Sequence, residues 1–273
     1  MSAQTSKFRL PEQLRIGAAT PEARSTRQLL LFATLLTFVL NFVPYSNVLL
    51  YPLRLFVTFV HESGHALATL LAGGGVVSLA VSPDGSGLTE SVGNSFATAW
   101  LIDSAGYLGT TLFGALLLQL GRVRSLQSAR LPRQLGGAQM NAGRLMLYAC
   151  ALFMLAIMVW VRDPFTLITG LGIAAIFWFL AQKASPRVAE FVAMFLAVQC
   201  SLNALVDIRV LLQLSTSHPE VHTDALNMQH MYLLPAAFWA FLWAIGAACM
   251  LTVSLWSYLR ATSMTTIIIK NRQ

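Results

Sequence analysis

The sequence predicts an all-α polytopic membrane bundle of six to seven transmembrane helices, with a small β-hairpin after the helix that carries a metal-binding motif. Of the 273 residues, 56% are hydrophobic and only 11% are charged, whereas a soluble domain carries about a quarter charged residues. The apolar residues form long continuous runs and do not alternate, which favours helices over a barrel. One run also contains two histidines at helical spacing, and a turn signal follows it.

Seven apolar segments separated by polar gaps are the predicted spans. The first is short for a bilayer crossing, which is why six or seven crossings are expected. A polar tail (1–27), a single membrane-embedded domain (28–259) and a basic tail (260–273) make up the chain. The net charge of +7 indicates no nucleic-acid partner, because Lys and Arg cluster between the apolar runs, as topology signals and lipid-headgroup contacts do. The predicted spans are 28–43, 53–72, 96–120, 145–161, 165–181, 188–212 and 232–259.

A metal-binding motif, His61-Glu62-Ser63-Gly64-His65, lies inside the second segment. Histidines four residues apart lie one turn above each other on a helix face, so both imidazoles can reach one ion. Zinc suits two neutral imidazoles and an oxygen ligand, and it leaves a position for water or substrate. Glu62 is placed to take a proton from the metal-bound water. Polar groups inside an apolar segment are costly and usually functional, so the pattern predicts a zinc site with Glu62 as its catalytic residue.

A hairpin is predicted directly after this helix. Three glycines at 73–75 suit a helix C-terminus. A β-branched run at 76–81 and a shorter partner at 88–90 flank a Pro-Asp-Gly turn, which is typical of a hairpin. A hairpin beside a metal site could offer a free edge to an extended peptide.

The third metal ligand is expected from an acid at the depth of His65. His65 lies about eight residues from the end of its helix, or about 12 Å of depth at 1.5 Å per residue. Asp207 lies about as far from the end of the sixth segment, which runs parallel to the second. Asp103 lies about eight residues into the third segment, which starts where the second ends. Depth alone therefore leaves Asp207 and Asp103 tied.

Residues 59–66, Phe-Val-His-Glu-Ser-Gly-His-Ala, resemble the motif of site-2 proteases, which are intramembrane zinc metallopeptidases. The glycine-rich helix exit, the hairpin turn at 83–87 and the Ser-Ala-Gly-Tyr-Leu-Gly run at 104–109 are similar to the compact bacterial branch of that family. In the family, an Asp preceded by an Asn on a later span is the third ligand, and Asn203 and Asp207 match that order. The family's Pro between them and its Gly after the Asp are absent here. The resemblance thus favours Asp207 over Asp103, with Asp224 third.

The function implied by the resemblance is intramembrane zinc proteolysis, in which a peptide bond in or near a transmembrane segment of a membrane protein is cleaved. Glu62 would accept the water's proton and pass it to the leaving amine, and Asn203 would help to stabilise the oxyanion. The alternative is a non-proteolytic scaffold, chaperone or metal carrier, against which the intact Glu62 argues. The resemblance also implies a multi-pass protein of the bacterial plasma membrane.

Overall fold

The structure, a computed structural model, describes residues 21–40, 43, 46–93, 95–130, 142–217 and 223–270. Within these ranges the chain forms eight α-helices and a two-stranded sheet. Their bounds are α1 Pro21–Leu40, α2 Ser46–Leu71, β1 Gly75–Val81, β2 Gly87–Val92, α3 Phe96–Arg130, α4 Ala142–Ile157, α5 Pro164–Lys183, α6 Pro186–Ser217, α7 Asp224–Tyr232 and α8 Ala236–Lys270.

Four helices of the described chain are long and apolar enough to cross a membrane. They lie in α3, α4, α5 and α8, which confirms the helical membrane class and four of the predicted segments. The apolar stretch of α1, Gln28–Thr37, is shorter. The full count of six to seven crossings therefore stays a prediction.

The sequence-based boundaries near the end of the chain are wrong. The region predicted as a polar loop, 213–231, contains the end of α6 and all of α7, and the last long helix begins at Ala236 instead of residue 232. Thr223 caps the N-terminus of α7 with its hydroxyl, and Leu233, in the left-handed conformation (φ 60°), ends it. A short capped helix in a polar stretch has too little apolar periodicity to be predicted from sequence.

The core lies between α2, α4, α5 and α6. Phe56 and Phe59 on α2 are fully buried, as are Met154 on α4 and Leu196 on α6. Phe56 also meets Phe177 of α5 edge to face, with ring centroids 5.0 Å apart. This apolar packing fixes α2, the helix that carries the His-Glu motif, inside the bundle.

Helix α2 packs on α3 through glycines. A Cβ at Gly64 would collide with the carbonyl group of Ala105 and lie 3.3 Å from the Cα of Gly106. A Cβ at Gly109 would lie 3.4 Å from the Cα of Gly64. The two backbones therefore touch, as small residues allow in membrane bundles.

The predicted hairpin is confirmed. Strands β1 and β2 pair antiparallel, with Leu79 opposite Thr89 and Ala80 opposite Leu88. Gly73, with φ +83°, provides the positive φ that turns the chain out of α2.

The hairpin folds back along α2 and is fixed there at its turn. The Tyr51 hydroxyl donates to the carbonyl of Pro83 at 2.6 Å, and the Thr58 hydroxyl donates to that of Gly85 at 2.8 Å. Between them, the Arg54 guanidinium donates to the carbonyl of Asp84. These donors sit three to four residues apart and so share one face of α2. The hairpin therefore runs beside α2 over about 30 Å, the rise from Tyr51 to Leu71 at 1.5 Å per residue.

We expect Gly64→Ala to destabilise the protein by roughly 1–3 kcal/mol, because the added methyl meets backbone atoms that cannot rotate away. Gly172→Ala on α5 is the matched control, since a Cβ there meets no atom within 4 Å. Thermal unfolding in detergent compares the two. Equal unfolding temperatures for both variants would contradict the proposed helix contact.

Candidate metal centre

Three side chains converge on one point between α2, α3 and α7. The Asp224 Oδ2 atom lies 3.3 Å from the His61 Nε2 atom and 3.4 Å from the His65 Nε2 atom. The two Nε2 atoms are 3.0 Å apart. All three potential ligand atoms lie within 4.8 Å of one another, so they could hold a metal ion.

The orientation of His65 is set by the backbone of α3. Its Nδ1 atom lies 2.7 Å from the carbonyl oxygen of Ile102. A carbonyl oxygen only accepts hydrogen bonds, so Nδ1 carries the proton and Nε2 keeps its lone pair for a metal. Second-sphere contacts of this kind are the usual way in which proteins orient ligating histidines.

His61 is held by aromatic packing. Tyr107 on α3 meets its ring edge to face, with centroids 4.6 Å apart, and Trp243 on α8 stacks on Tyr107 at 5.0 Å. The indole N–H of Trp243 donates to the Ser104 hydroxyl at 2.8 Å, which fixes the stack in turn. The His61 imidazole therefore packs on Tyr107, whose ring is held in place by Trp243 of α8.

Space beside the histidines exists because residue 106 is glycine. A Cβ there would lie 2.5 Å from the His65 Nε2 atom and would also collide with the His61 ring. Two imidazole nitrogens and one carboxylate oxygen form a donor set that zinc accepts, in a geometry that leaves a fourth position. The residues present fit a zinc ion.

Asp224 is the first residue of α7 and lies outside the long apolar helices. Burial raises the pKa of this carboxyl. In the metal-free protein, however, the positive charge of a protonated His65 and hydrogen bonds from both histidines outweigh burial and hold the pKa of Asp224 below its usual value. Asp224 is therefore ionised at neutral pH, the form that binds a metal.

The other candidate ligands predicted from the sequence are not found in this cluster of described residues. Asp103 is not part of the cluster, and its buried Oδ2 has no hydrogen-bond partner among the described residues. Asp207 and Asn203 belong to α6, at positions whose side chains lie outside the described residues. Their predicted roles as ligand and oxyanion donor stay predictions.

Glu62 is buried beneath β2. The Thr89 hydroxyl lies 2.8 Å from the Glu62 Oε2 atom and 3.0 Å from its carbonyl oxygen. A Cβ at Gly87 would collide with the Glu62 carboxylate. Gly87, Thr89 and Gly106 are not among the site residues that the sequence predicts, although Gly87 lies in the predicted hairpin turn and Gly106 in the run at 104–109.

A helical bundle that carries a His-Glu-x-x-His motif, with both histidines beside a carboxylate, defines the class of membrane-embedded metallopeptidases. The chain belongs to the Peptidase M50B-like family, whose family model matches residues 31–254. This is the site-2 protease family of zinc metalloproteases, so the resemblance seen in the motif is confirmed. No curated protein and no solved structure matches the chain significantly.

Asp224→Ala is expected to lower zinc affinity by at least the roughly 10- to 100-fold that second-sphere changes cost, because two imidazoles alone hold the ion weakly. Asp103→Asn should leave the affinity nearly unchanged. Zinc dissociation from these variants and from Asp207→Ala, measured side by side, checks this. Retention of zinc by Asp224→Ala together with its loss from Asp207→Ala would reverse the assignment.

Proposed function

We propose that this protein is an intramembrane zinc metalloprotease that cleaves a peptide bond in or near a transmembrane segment of a membrane protein. The observation that carries the proposal is the convergence of His61, His65 and Asp224 beside a buried Glu62. Metal binding alone needs no carboxylate base at that position. Membership of a metalloprotease family supports the same reaction.

His61, His65 and Asp224 would hold the zinc ion. When bound, zinc supplies Lewis acidity, which lowers the pKa of a water molecule toward neutrality and polarises a carbonyl group. The three residues come from α2 and α7, and α3 supports them through Ile102 and Gly106.

Glu62 is the general base and then the general acid. The Thr89 hydroxyl donates to Oε2, which orients the carboxylate. Oε1 lies against Gly87, where the absence of a side chain leaves that oxygen room. Glu62 takes the proton of the attacking water at Oε1 and passes it to the nitrogen of the leaving amine.

Strand β2 is the proposed binding site for the substrate. The far edge of β1 is already covered, because the Thr166 hydroxyl bonds both the N–H (2.8 Å) and the carbonyl (3.1 Å) of Val81, and Leu79 forms a bridge with Val161. The outer edge of β2 has no strand partner among the described residues. An unwound segment of a transmembrane helix can therefore add to β2 as a third strand, beside Glu62.

The enzyme works as a multi-pass protein of the bacterial plasma membrane, as the resemblance to the compact bacterial branch implies. The lipid bilayer and a transmembrane substrate are its partners. Helical peptide bonds are shielded by their own hydrogen bonds, so local unwinding against β2 precedes hydrolysis.

Glu62→Gln should retain zinc and lose hydrolysis, because the amide can neither accept nor return the proton. Zinc content and cleavage of membrane-spanning peptides are measured on the same preparation, with the wild type as reference. Cleavage at the wild-type rate by Glu62→Gln would exclude this mechanism.

Thr89→Val keeps the shape of the side chain but removes the hydrogen bond to Glu62. We expect kcat to fall roughly 10- to 150-fold, because a hydrogen bond to a charged group is worth roughly 1.5–3 kcal/mol, with zinc content unchanged. Thr89→Ser, which keeps the hydroxyl, should restore most of the rate. Equal kcat values for the valine and serine variants would show that Thr89 does not act on Glu62.

A further inference from the structure

The two faces of the hairpin have different chemistry. On the inner face, Leu79 and Val81 are buried, and Thr89 reaches Glu62. On the outer face of β2, Leu88 and Val92 are more than half exposed, and Glu90 lies between them. Side chains alternate between faces along a strand, so these two sets remain separate.

A peptide that adds to the outer edge of β2, which has no strand partner among the described residues, must follow the same alternation. Its residue opposite Thr89 lies on the inner face, next to the Glu62 carboxylate. Its neighbours in sequence lie on the outer face, beside Leu88 and Glu90. Directly opposed side chains on one face are close enough to interact, and their pairing favours apolar with apolar and opposite charges together.

The Glu90 carboxylate is accessible from the side of β2 that such a peptide would occupy. On its β1 side, the Ser78 hydroxyl donates to the Glu90 Oε2 atom at 2.8 Å. The Glu90 side chain is exposed, so a cation on the opposite side could pair with it. Leu88 and Val92, two residues away in each direction, offer apolar contacts to the residues that flank this cation.

We propose that β2 selects substrates with a Lys or Arg flanked on each side, two residues away, by an apolar residue. This inference rests on the proposed function and names the segment that the protease prefers. The pattern is the same in both chain directions because Leu88 and Val92 are symmetric about Glu90. Hence it holds whether the substrate strand is parallel or antiparallel to β2.

Such a segment occurs where a transmembrane helix ends and its flanking basic residues begin. Glu90 is near the end of β2, six residues before the start of α3 at Phe96. The residue between the cation and the apolar residue beside Leu88 faces Glu62. Cleavage is therefore expected next to a residue that directly adjoins the Lys or Arg.

The test uses two synthetic peptides that share an apolar segment of about twenty residues and differ in one position. One ends in Leu-Ala-Lys-Ala-Leu and the other in Leu-Ala-Glu-Ala-Leu. Zinc-loaded full-length wild type, Glu90→Lys and Glu90→Gln are assayed in detergent, and mass spectrometry locates the cleaved bond. Glu90→Gln is the matched control, because it keeps the size of the side chain and removes the charge.

The wild type is expected to cleave the lysine peptide roughly two- to fivefold faster in kcat/KM than the glutamate peptide, the range of one cross-strand pair. Glu90→Lys should reverse this preference and Glu90→Gln should abolish it, with cleavage beside an alanine that adjoins the central residue.

An identical preference in all three proteins, or cleavage of neither peptide by the wild type, would overturn the inference. If the wild type cleaves both peptides equally and Glu62→Gln cleaves neither, the proposed substrate preference is refuted but the proposed protease activity stands. Cleavage that survives Glu62→Gln would instead remove the proposed protease.

Discussion

The close approach of α2 and α3 is the constraint on which the metal centre depends. Gly64 lies against the backbone at Ala105, and Gly106 lies against the imidazoles of both histidines. A methyl group at either position would fill the space in which the helices and the ligand atoms meet. The contact also brings the Ile102 carbonyl to His65, so one helix pairing provides both the room for an ion and the orientation of a ligand.

The same helix organises the substrate side of the site. Tyr51, Arg54 and Thr58 hold the hairpin turn, while Glu62, one to three turns further along, meets Thr89 of β2. Helix α2 thus fixes both the general base, Glu62, and β2, the strand to which the substrate is proposed to add. Preorganisation of this kind is what positioned acid–base chemistry requires.

Much of this arrangement follows from local sequence signals. The spacing of His61 and His65 predicts their shared helix face, and the Pro-Asp-Gly turn predicts the hairpin, because each signal depends on a few neighbouring residues. The position of Asp224 depends on how α7 docks between α3 and α8. Depth along the long spans favours Asp207 and Asp103 equally, and the family resemblance places Asp224 third, because neither signal points to a ligand on a short polar helix outside those spans.

X-ray absorption at the zinc edge of Asp224→Cys shows whether residue 224 binds the ion, because sulfur scatters differently from nitrogen and oxygen. If residue 224 binds the ion, this variant should show a zinc–sulfur distance of about 2.3 Å that the wild type lacks. A sulfur signal from Asp207→Cys together with none from Asp224→Cys would contradict the metal centre described above.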